Sequence, residues 1–337
     1  MRPLRLSQMS LAALSFALTA AAPAPSYEVA GSVPGPDGGW DYASVDPAAK
    51  TLYVAHGEAV MAVDLANGNA VRSFGTIAKA HAVVPIPGQN TLLVSSAHDD
   101  TVRLLDTGDG HEIARIAVGS DPDAAFYDPA SGRAAVMNAK AGTVSLIDVA
   151  ARKVASTITL KPGLEFAVMG EGSTMFVNNE DTNEIAVADL KTGKVGAAIR
   201  LTGCEGPTGL GYDAATHQLI SACANGKAVV VDARTRRIVR LLAIGKGPDA
   251  VIMDTARRLA FIPCGGSGTI SIVRLDGAKG AAIAGTATSE PGARTGALDP
   301  ATGKLYLPTA QFGPAATPGG RPVAKPGSFH ILIVAPK

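Results

Sequence analysis

The chain has 337 residues, of which 47% are hydrophobic and only 4% aromatic, and its formal net charge is +1. This near balance of charge gives no general attraction to nucleic acid or to an anionic membrane surface, and no apolar stretch is long enough to span a bilayer. The 38 glycines and 22 prolines favour a protein with many turns, whose core is built from valine, isoleucine, leucine and alanine.

Residues 1–22 have the composition of a secretory signal peptide. Arg2 and Arg5 give a positive start, residues 9–20 form an apolar segment, and small alanines follow at 20–22. A buried or anchoring N-terminal helix is the alternative. The signal peptide predicts an exported protein, periplasmic or secreted, with no membrane insertion.

A pattern of short strands and turns begins at Trp40 and repeats along the chain. Its first turn, anchored at Pro47, recurs at steps of 40 to 45 residues. The seven anchor positions are Pro47, Pro87, Pro129, Gly170, Ala214, Thr255 and Pro300. Four short strands at this period are typical of a propeller blade. The sequence therefore predicts an all-β, seven-bladed β-propeller with four-stranded blades, formed as one domain by residues 27–337.

The third strand of most predicted blades ends in an aspartate. These residues are Asp64, Asp106, Asp148, Asp189 and Asp232. Aspartate is favoured at the first position of a type I turn, where its side chain accepts hydrogen bonds from the turn backbone. We therefore interpret them as turn residues and not as functional ones.

The N-terminal strand is predicted to close the ring. Residues 27–33 resemble the fourth strands at 112–118 and 153–160, although they precede the first complete blade. The seventh unit ends after its third strand, at residues 329–335. The N-terminal strand would supply the missing fourth strand of the last blade and hide the edges that an open sheet exposes.

Each predicted first strand carries one polar side chain near its start, and the rest of the strand is mostly apolar. First strands line the central channel of a propeller, so these side chains share one opening, which we call the upper face. They are Asp41, His81, Asp123, Glu165, Thr208, Asp249 and Arg294, with Trp40 beside the first of them. We predict a ligand-binding funnel here, with a merely solvated channel as the alternative. Arg294 would anchor an anionic group, and the acids would favour a cation or a hydroxyl-bearing partner.

A second polar position recurs at the end of each predicted second strand. It holds His56, Ser96, Asn138, Asn179, Cys223, Cys264 and Thr309. We count His56 and Asn179 among the ligand-binding candidates. The alternative is that these residues are polar because they end beside solvent.

Blade seven contains a long insertion, residues 311–328, rich in proline and glycine. Long loops in compact domains are usually functional or disordered. This one leaves the upper face, so it either covers the channel mouth or is a flexible insertion.

The three cysteines, Cys204, Cys223 and Cys264, all map to the upper face. An exported protein is expected to form disulfides, and an odd number leaves one thiol over. The sequence does not fix the pairing, although Cys204 with Cys223 is favoured because both belong to blade five. A cysteine and histidine metal site is the alternative, but the spacing matches no compact metal motif. We therefore predict no metal and no cofactor.

Common catalytic motifs are absent, including nucleophile elbows, zinc-protease helices and phosphate-binding glycine loops. A basic cluster falls on the face opposite the funnel. Its members are Arg234, Arg236, Arg237 and Arg240, extended by Arg257 and Arg258. It lacks the interleaved aromatic residues that stack on bases, so we interpret it as a solvated turn.

Several segments resemble the repeat of the YVTN-type, YncE-like seven-bladed propellers. They are residues 50–55 (KTLYVA), 99–106 (DDTVRLLD) and 142–148 (GTVSLID). Residues 38–42 (GGWDY), 204–210 (CEGPTGL) and 291–295 (PGART) resemble a periplasmic subgroup. The resemblance covers the mature chain and implies the propeller fold and export. It implies single-stranded DNA binding for one branch only, and no agreed catalytic residues.

The sequence thus favours a non-catalytic, exported binding or scaffold protein, monomeric, whose partner is an unknown small molecule or protein. A lactonase-like hydrolase using the funnel residues is one alternative. A propeller that binds single-stranded DNA is another, although nucleic acid is not favoured as a partner.

Overall fold

A computed structural model describes residues 26–277, 280–315 and 322–337. The predicted signal peptide, residues 1–22, lies outside these residues. The described chain contains seven four-stranded antiparallel sheets and one small two-stranded sheet. This confirms the predicted all-β propeller with four-stranded blades.

The first strand in the chain, β1 (Tyr27–Pro34), belongs to the last blade, and blades one to three follow it in order. Blade one contains β2 (Trp40–Asp46), β3 (Thr51–His56), β4 (Ala59–Asp64) and β5 (Ala70–Phe74). Blade two contains β6 (Ala80–Pro85), β7 (Thr91–Ser96), a short 3₁₀ turn (Ala97–Asp99), β8 (Thr101–Asp106) and β9 (Glu112–Ala117). Blade three contains β10 (Pro122–Asp128), β11 (Arg133–Asn138), β12 (Thr143–Asp148) and β13 (Lys153–Thr159).

Blades four to six repeat the same order. Blade four contains β14 (Leu164–Met169), β15 (Thr174–Asn179), β16 (Glu184–Asp189) and β17 (Ile199–Arg200). Blade five contains β18 (Pro207–Asp213), β19 (Gln218–Cys223), β20 (Lys227–Asp232) and β21 (Arg237–Ala243). Blade six contains β22 (Ile252–Asp254), β23 (Leu259–Cys264), β24 (Thr269–Arg274) and β25 (Ala282–Thr288).

Blade seven joins the two ends of the described chain. Its strands are β26 (Ala297–Leu298), β27 (Leu305–Thr309), β30 (His330–Pro336) and β1, and the insertion between β27 and β30 carries a hairpin of β28 (Phe312–Ala315) and β29 (Pro322–Ala324). β1 pairs antiparallel with β30, from Tyr27 opposite Pro336 to Pro34 opposite His330. The predicted closure by the N-terminal strand is confirmed.

The core lies between neighbouring blades and is built from the second and third strands. β3 is buried after its first residue and β23 is buried throughout. Between blades one and seven, for example, Leu52, Val54 and Met61 pack in one cluster with Ile331 and Tyr306. Apolar area removed from water stabilises a fold by roughly 25 cal/mol per Å². Short strands rich in β-branched residues and packed on both faces can therefore stabilise this fold without many aromatic residues.

The aspartates that end the third strands act as the sequence analysis predicts. Oδ1 of Asp64 accepts hydrogen bonds from the backbone N–H groups of Ala66 and Asn67, at 2.9 and 3.1 Å. Asp232 makes the same contacts with Arg234 and Thr235. These turns lie on the lower face, opposite the loops that join second to third strands.

Among the described residues, no helix has the length and hydropathy needed to cross a bilayer.

Candidate functional site

The polar residue near the start of the first strand sits in a β-bulge in blades one to five. In each of these blades the pairing between the first and second strands shifts by one residue at this point. The unpaired residues are 41–42, 81–82, 123–124, 165–166 and 208–209. A bulge changes the direction of a side chain and ends regular pairing. The fold therefore gives these five blades the same device for presenting one polar group at the channel mouth.

Three of these side chains meet directly. Nδ1 of His81 lies 2.5 Å from Oδ2 of Asp41 and 3.4 Å from Oδ1 of Asp123. The side chains are 14%, 15% and 19% exposed for His81, Asp41 and Asp123. One potential ligand atom from each residue lies within 4.8 Å of the other two, which is close enough for the three to share one metal ion.

On the blade six and seven side of the mouth, Nε of Arg294 lies 2.9 Å from Oδ2 of Asp249. Asp249 is 20% exposed and Arg294 is 44% exposed. The arginine therefore already has a carboxylate partner and is not an isolated anchor for an anion. With Glu165, the mouth holds four carboxyl groups and a single arginine from the seven predicted positions.

The pKa values of three mouth acids, Asp123, Glu165 and Asp249, are strongly raised. Burial is the largest cause, and the neighbouring carboxylates add to it. The pKa of Glu165 rises to about 10, with Asp123 and Asp249 as the next causes. The pKa of Asp123 rises to about 7, with Asp41 as the next cause. For Asp249, burial raises the pKa to about 7 although Arg294 opposes the shift.

The pKa of His81 is raised against the effect of burial. Burial alone would lower it, but the hydrogen bond with Asp41 and the charges of Asp123 and Asp41 outweigh that loss. The acidic groups of the mouth therefore cannot all be ionised at once without strong repulsion. A positive charge on His81 is one way to reduce that repulsion. An incoming cation is another.

Buried side chains of neighbouring blades hold the bulges in place. The hydroxyl of Thr295 donates to the carbonyl of Asp41 at 2.8 Å, and the hydroxyl of Ser95 donates to the carbonyl of Asp123 at 2.8 Å. The amide of Asn178 donates to the carbonyl of Thr208 at 2.8 Å. These three side chains are 0% exposed. At these three places, one blade therefore fixes the mouth residue of the next.

Tyr42 forms the floor of the acidic mouth. It is buried beside Phe166, with ring centroids 5.3 Å apart. Its pKa is raised well above the usual value, first by burial and then by Asp249 and Asp123. Beyond the two rings the channel continues as an apolar pocket of about 360 Å³ whose lining includes Pro87 and Pro129. The channel is thus polar at the upper end and apolar at the lower end.

An aromatic pocket of about 550 Å³ adjoins the mouth on the blade seven side. Trp40, Phe312 and Arg294 line it, together with glycine backbone from the neighbouring loops. The ring of Trp40 lies 6.2 Å from that of Phe312 and 5.4 Å from that of Phe329. The hairpin of the blade seven insertion therefore reaches Trp40 at the rim. Residues 316–321 of the insertion lie outside the described residues.

Two residues predicted for the funnel have partners beside it. His56 is 6% exposed and packs edge-on against Phe329, and its pKa is lowered, mainly by burial. Asn179 is 1% exposed, and its amide donates to the carbonyl of Pro162 at 2.7 Å while Oδ1 accepts from Thr182. Both support loops at the upper face. Sequence position alone does not separate this role from ligand binding, because both need a polar residue at a strand end.

Thr208 stands at the mouth, but its hydroxyl donates to the carbonyl of Pro248 at 3.1 Å. It thereby joins blades five and six. Four residues that the sequence analysis did not single out, Ser95, Asn178, Thr295 and Tyr42, complete the site. A buried polar residue within an apolar strand was the available signal for Ser95 and Asn178.

A disulfide joins Cys204 to Cys223, with their Cα atoms 5.5 Å apart. This is the pairing that the sequence analysis favours. Cys264 is a buried free thiol. Burial raises its pKa, so the thiol is unreactive at neutral pH.

Three of the six arginines in the lower-face cluster pair with carboxylates. Arg234 pairs with Glu171, and Arg258 pairs with Asp213. Arg257 pairs with Asp254 at 3.1 Å. This neutralisation reduces the positive field that a nucleic-acid backbone would need.

Comparisons with known proteins support the fold. No family model matches the chain, and no curated protein matches it. Among solved structures, a chain of Kuenenia stuttgartiensis hydrazine synthase is similar with a TM-score of 0.70 and 15% sequence identity. The match covers 87% of this chain and 96% of that chain. At this identity the likeness shows the fold alone.

Proposed function

We propose that the protein is an exported binding protein of the YVTN type, and that it holds a positively charged small molecule at the channel mouth. The observation that carries the proposal is the convergence of four partly buried carboxyl groups on one opening. Asp123 and Asp249 have pKa values raised to about 7, and that of Glu165 is about 10. Binding a cation would allow these groups to ionise without mutual repulsion.

The aromatic pocket beside the mouth suits the rest of such a ligand. Trp40 and Phe312 offer apolar surface, and aromatic faces attract organic cations. Pockets that combine apolar walls with a few converging polar groups are the usual form of small-molecule sites. An organic amine with its charged group toward Glu165 and Asp249, and its body on Trp40, would use both parts.

Thermal shift measurements on the mature protein test this proposal. We expect amines and amino sugars to raise the melting temperature, and carboxylate analogues of the same size to have no effect. Glu165→Gln and Asp249→Asn should remove the shift. The double change Arg236→Ala and Arg237→Ala, on the lower face, is the matched control and should retain it. A shift that persists in both mouth variants would refute the proposal.

A lactonase-like hydrolase is the second candidate. The close contact between His81 and Asp41 favours it, because a histidine held by a carboxylate is a common general base. Hydrolysis of a panel of lactones, with a rate that falls at least about 100-fold in His81→Gln, would support this candidate. Activity that His81→Gln leaves unchanged would exclude His81 as the base.

A further inference from the structure

We propose that Asp41, His81 and Asp123 form a binding site for a divalent transition-metal ion, with Zn²⁺ as the best fit. The site shares the channel mouth and two of its four carboxyl groups with the proposed function, but it does not use Glu165, Asp249 or Trp40, which would contact the organic ligand. Either proposal can therefore fail alone.

The positions of the three residues suit a shared ion. They come from equivalent bulges of blades one, two and three, and their ligand atoms lie within 4.8 Å of one another. With metal–ligand bonds of about 2.0–2.2 Å, ligand atoms of a tetrahedral site are about 3.4 Å apart. Nδ1 of His81 and Oδ1 of Asp123 are already 3.4 Å apart. Only Oδ2 of Asp41, now 2.5 Å from Nδ1, must withdraw by a side-chain rotation.

The chemistry of the three ligands selects the ion. One imidazole nitrogen and two carboxylate oxygens suit zinc and similar first-row metals, whereas Ca²⁺ and Mg²⁺ prefer oxygen ligands alone. Three protein ligands would leave a fourth coordination position of a tetrahedral ion open. A ligand or water molecule entering the mouth could therefore reach the ion.

A buried carboxylate oxygen of Asp123 gives an independent indication of a missing electropositive partner. Oδ1 of Asp123 is buried and makes no hydrogen bond within the described residues. A buried carboxylate oxygen without a partner is costly, and it is one of the three atoms that would contact the ion. Because Nδ1 of His81 is engaged by Asp41, this oxygen stands 3.4 Å from Nδ1 without a hydrogen bond to it, whereas a shared ion would contact it directly.

The backbone around the site is fixed before any ion arrives. Thr295 holds the carbonyl of Asp41, and Ser95 holds the carbonyl of Asp123. Ser95 also accepts a hydrogen bond from the backbone N–H of Ala82, next to His81. Ligands held from a second layer of hydrogen bonds are typical of metal sites with well-defined geometry.

A second group of similar composition serves as a built-in control. Asp106, Asp109 and His111 also place ligand atoms within 4.8 Å of one another. Asp109 and His111 are 73% and 61% exposed, however, on a surface turn. Without burial or a second layer of contacts, this group should bind metal only weakly.

Isothermal titration of Zn²⁺ into the chelator-treated mature protein, under non-reducing conditions, tests the proposal. We expect one equivalent to bind, with Mg²⁺ and Ca²⁺ binding far more weakly. His81→Gln and Asp123→Asn should each weaken Zn²⁺ binding by at least about 100-fold, since loss of a direct ligand exceeds the usual effect of a supporting residue. His111→Gln should leave it unchanged. Circular dichroism melting of each variant would show that the blades remain folded.

The outcomes separate the proposals. Zn²⁺ binding that survives both His81→Gln and Asp123→Asn, or that is absent from the folded parent protein, would overturn the metal site. If Zn²⁺ binding is absent while amines still shift the melting temperature through Glu165 and Asp249, only the metal site fails. If Zn²⁺ binds as expected and amines do not, the metal site stands and the proposed organic ligand fails.

Discussion

His81 and Asp41 occupy equivalent positions in neighbouring blades, and their side chains meet at 2.5 Å across the top of the channel. The contact depends on the bulges, because regular pairing at these positions would direct the two side chains along the sheet pleat. It also concentrates charge, since Oδ1 of Asp123 lies 3.4 Å from the same imidazole nitrogen. The mouth is therefore an acidic site built by repetition of one local device.

The first prediction concerns pH. The raised pKa values mean that the folded protein binds protons at Asp123, Asp249 and Glu165 more tightly than the unfolded chain does. The free energy of unfolding should therefore fall as pH rises from about 5 to 8, because the unfolded chain loses these protons first. His81, whose pKa is also raised, contributes a fall in the same direction.

Glu165→Gln isolates this effect. The amide stays neutral, so we expect the variant to be more stable than the parent protein at pH 8 by about 1–3 kcal/mol, and nearly equal near pH 4, where the parent carboxyl is protonated. Chemical denaturation at the two pH values measures it. Glu58→Gln, at an exposed position, should show no such difference. Equal stabilities of Glu165→Gln and the parent at pH 8 would contradict the raised pKa of Glu165 in the folded protein.

The second prediction concerns ring closure. Val33 of β1 is 4% exposed and packs in the cluster that joins blades seven and one, whereas Val29 of the same strand is 46% exposed. Val33→Asp should therefore lower the free energy of unfolding by about 3 kcal/mol or more, since it buries an unpaired charge. Val29→Ser should change it by less than about 0.5 kcal/mol. Equal effects in urea denaturation would show that β1 does not close the ring.

The repeat could be predicted from the sequence because propeller blades are set by local patterns. The spacing of the Pro47-type turns and the aspartates that end third strands are both visible in a single blade, and the structure confirms them. The mouth positions Asp41, His81 and Asp123 follow from the same alignment. These features depend on strand register, which hydrophobic alternation fixes.

The contacts within the mouth could not be predicted in the same way. The sequence does not reveal the bulges that turn Asp41 toward His81, since a bulge adds one residue to a strand without a distinctive composition. The sequence also does not show that Arg294 forms an ion pair with Asp249. His56 and Asn179 illustrate the limit, because polar residues at strand ends look alike whether they face a ligand or support a loop.

The third prediction concerns the cysteines. The disulfide between Cys204 and Cys223 closes a loop with a sequence separation of 19. A crosslink of this size stabilises a fold by about 3 kcal/mol in the chain-entropy model. Cys223→Ser should therefore destabilise the protein by roughly that amount under oxidising conditions and by much less under reducing conditions. Thiol quantification of the denatured, exported protein should give one free thiol per chain, from Cys264. Three free thiols would exclude the disulfide.

The fourth prediction separates a cationic ligand from an anionic one. Arg294 neutralises part of the charge of Asp249, to which it is joined at 2.9 Å. Removing the arginine in Arg294→Ala leaves the mouth more acidic, so a bound amine should gain affinity by up to about tenfold, which corresponds to about 1.4 kcal/mol. The gain should shrink at high salt, because Arg294 is 44% exposed and its interactions are screened.

Lys246→Ala removes an exposed cation from a nearby upper-face loop, and it is the matched control that should have a smaller effect. Isothermal titration with the amine that gives the largest thermal shift measures both variants. Loss of binding in Arg294→Ala would show instead that the ligand presents an anionic group to the arginine, as the sequence alone suggested, and the acids would then serve a hydroxyl or metal partner.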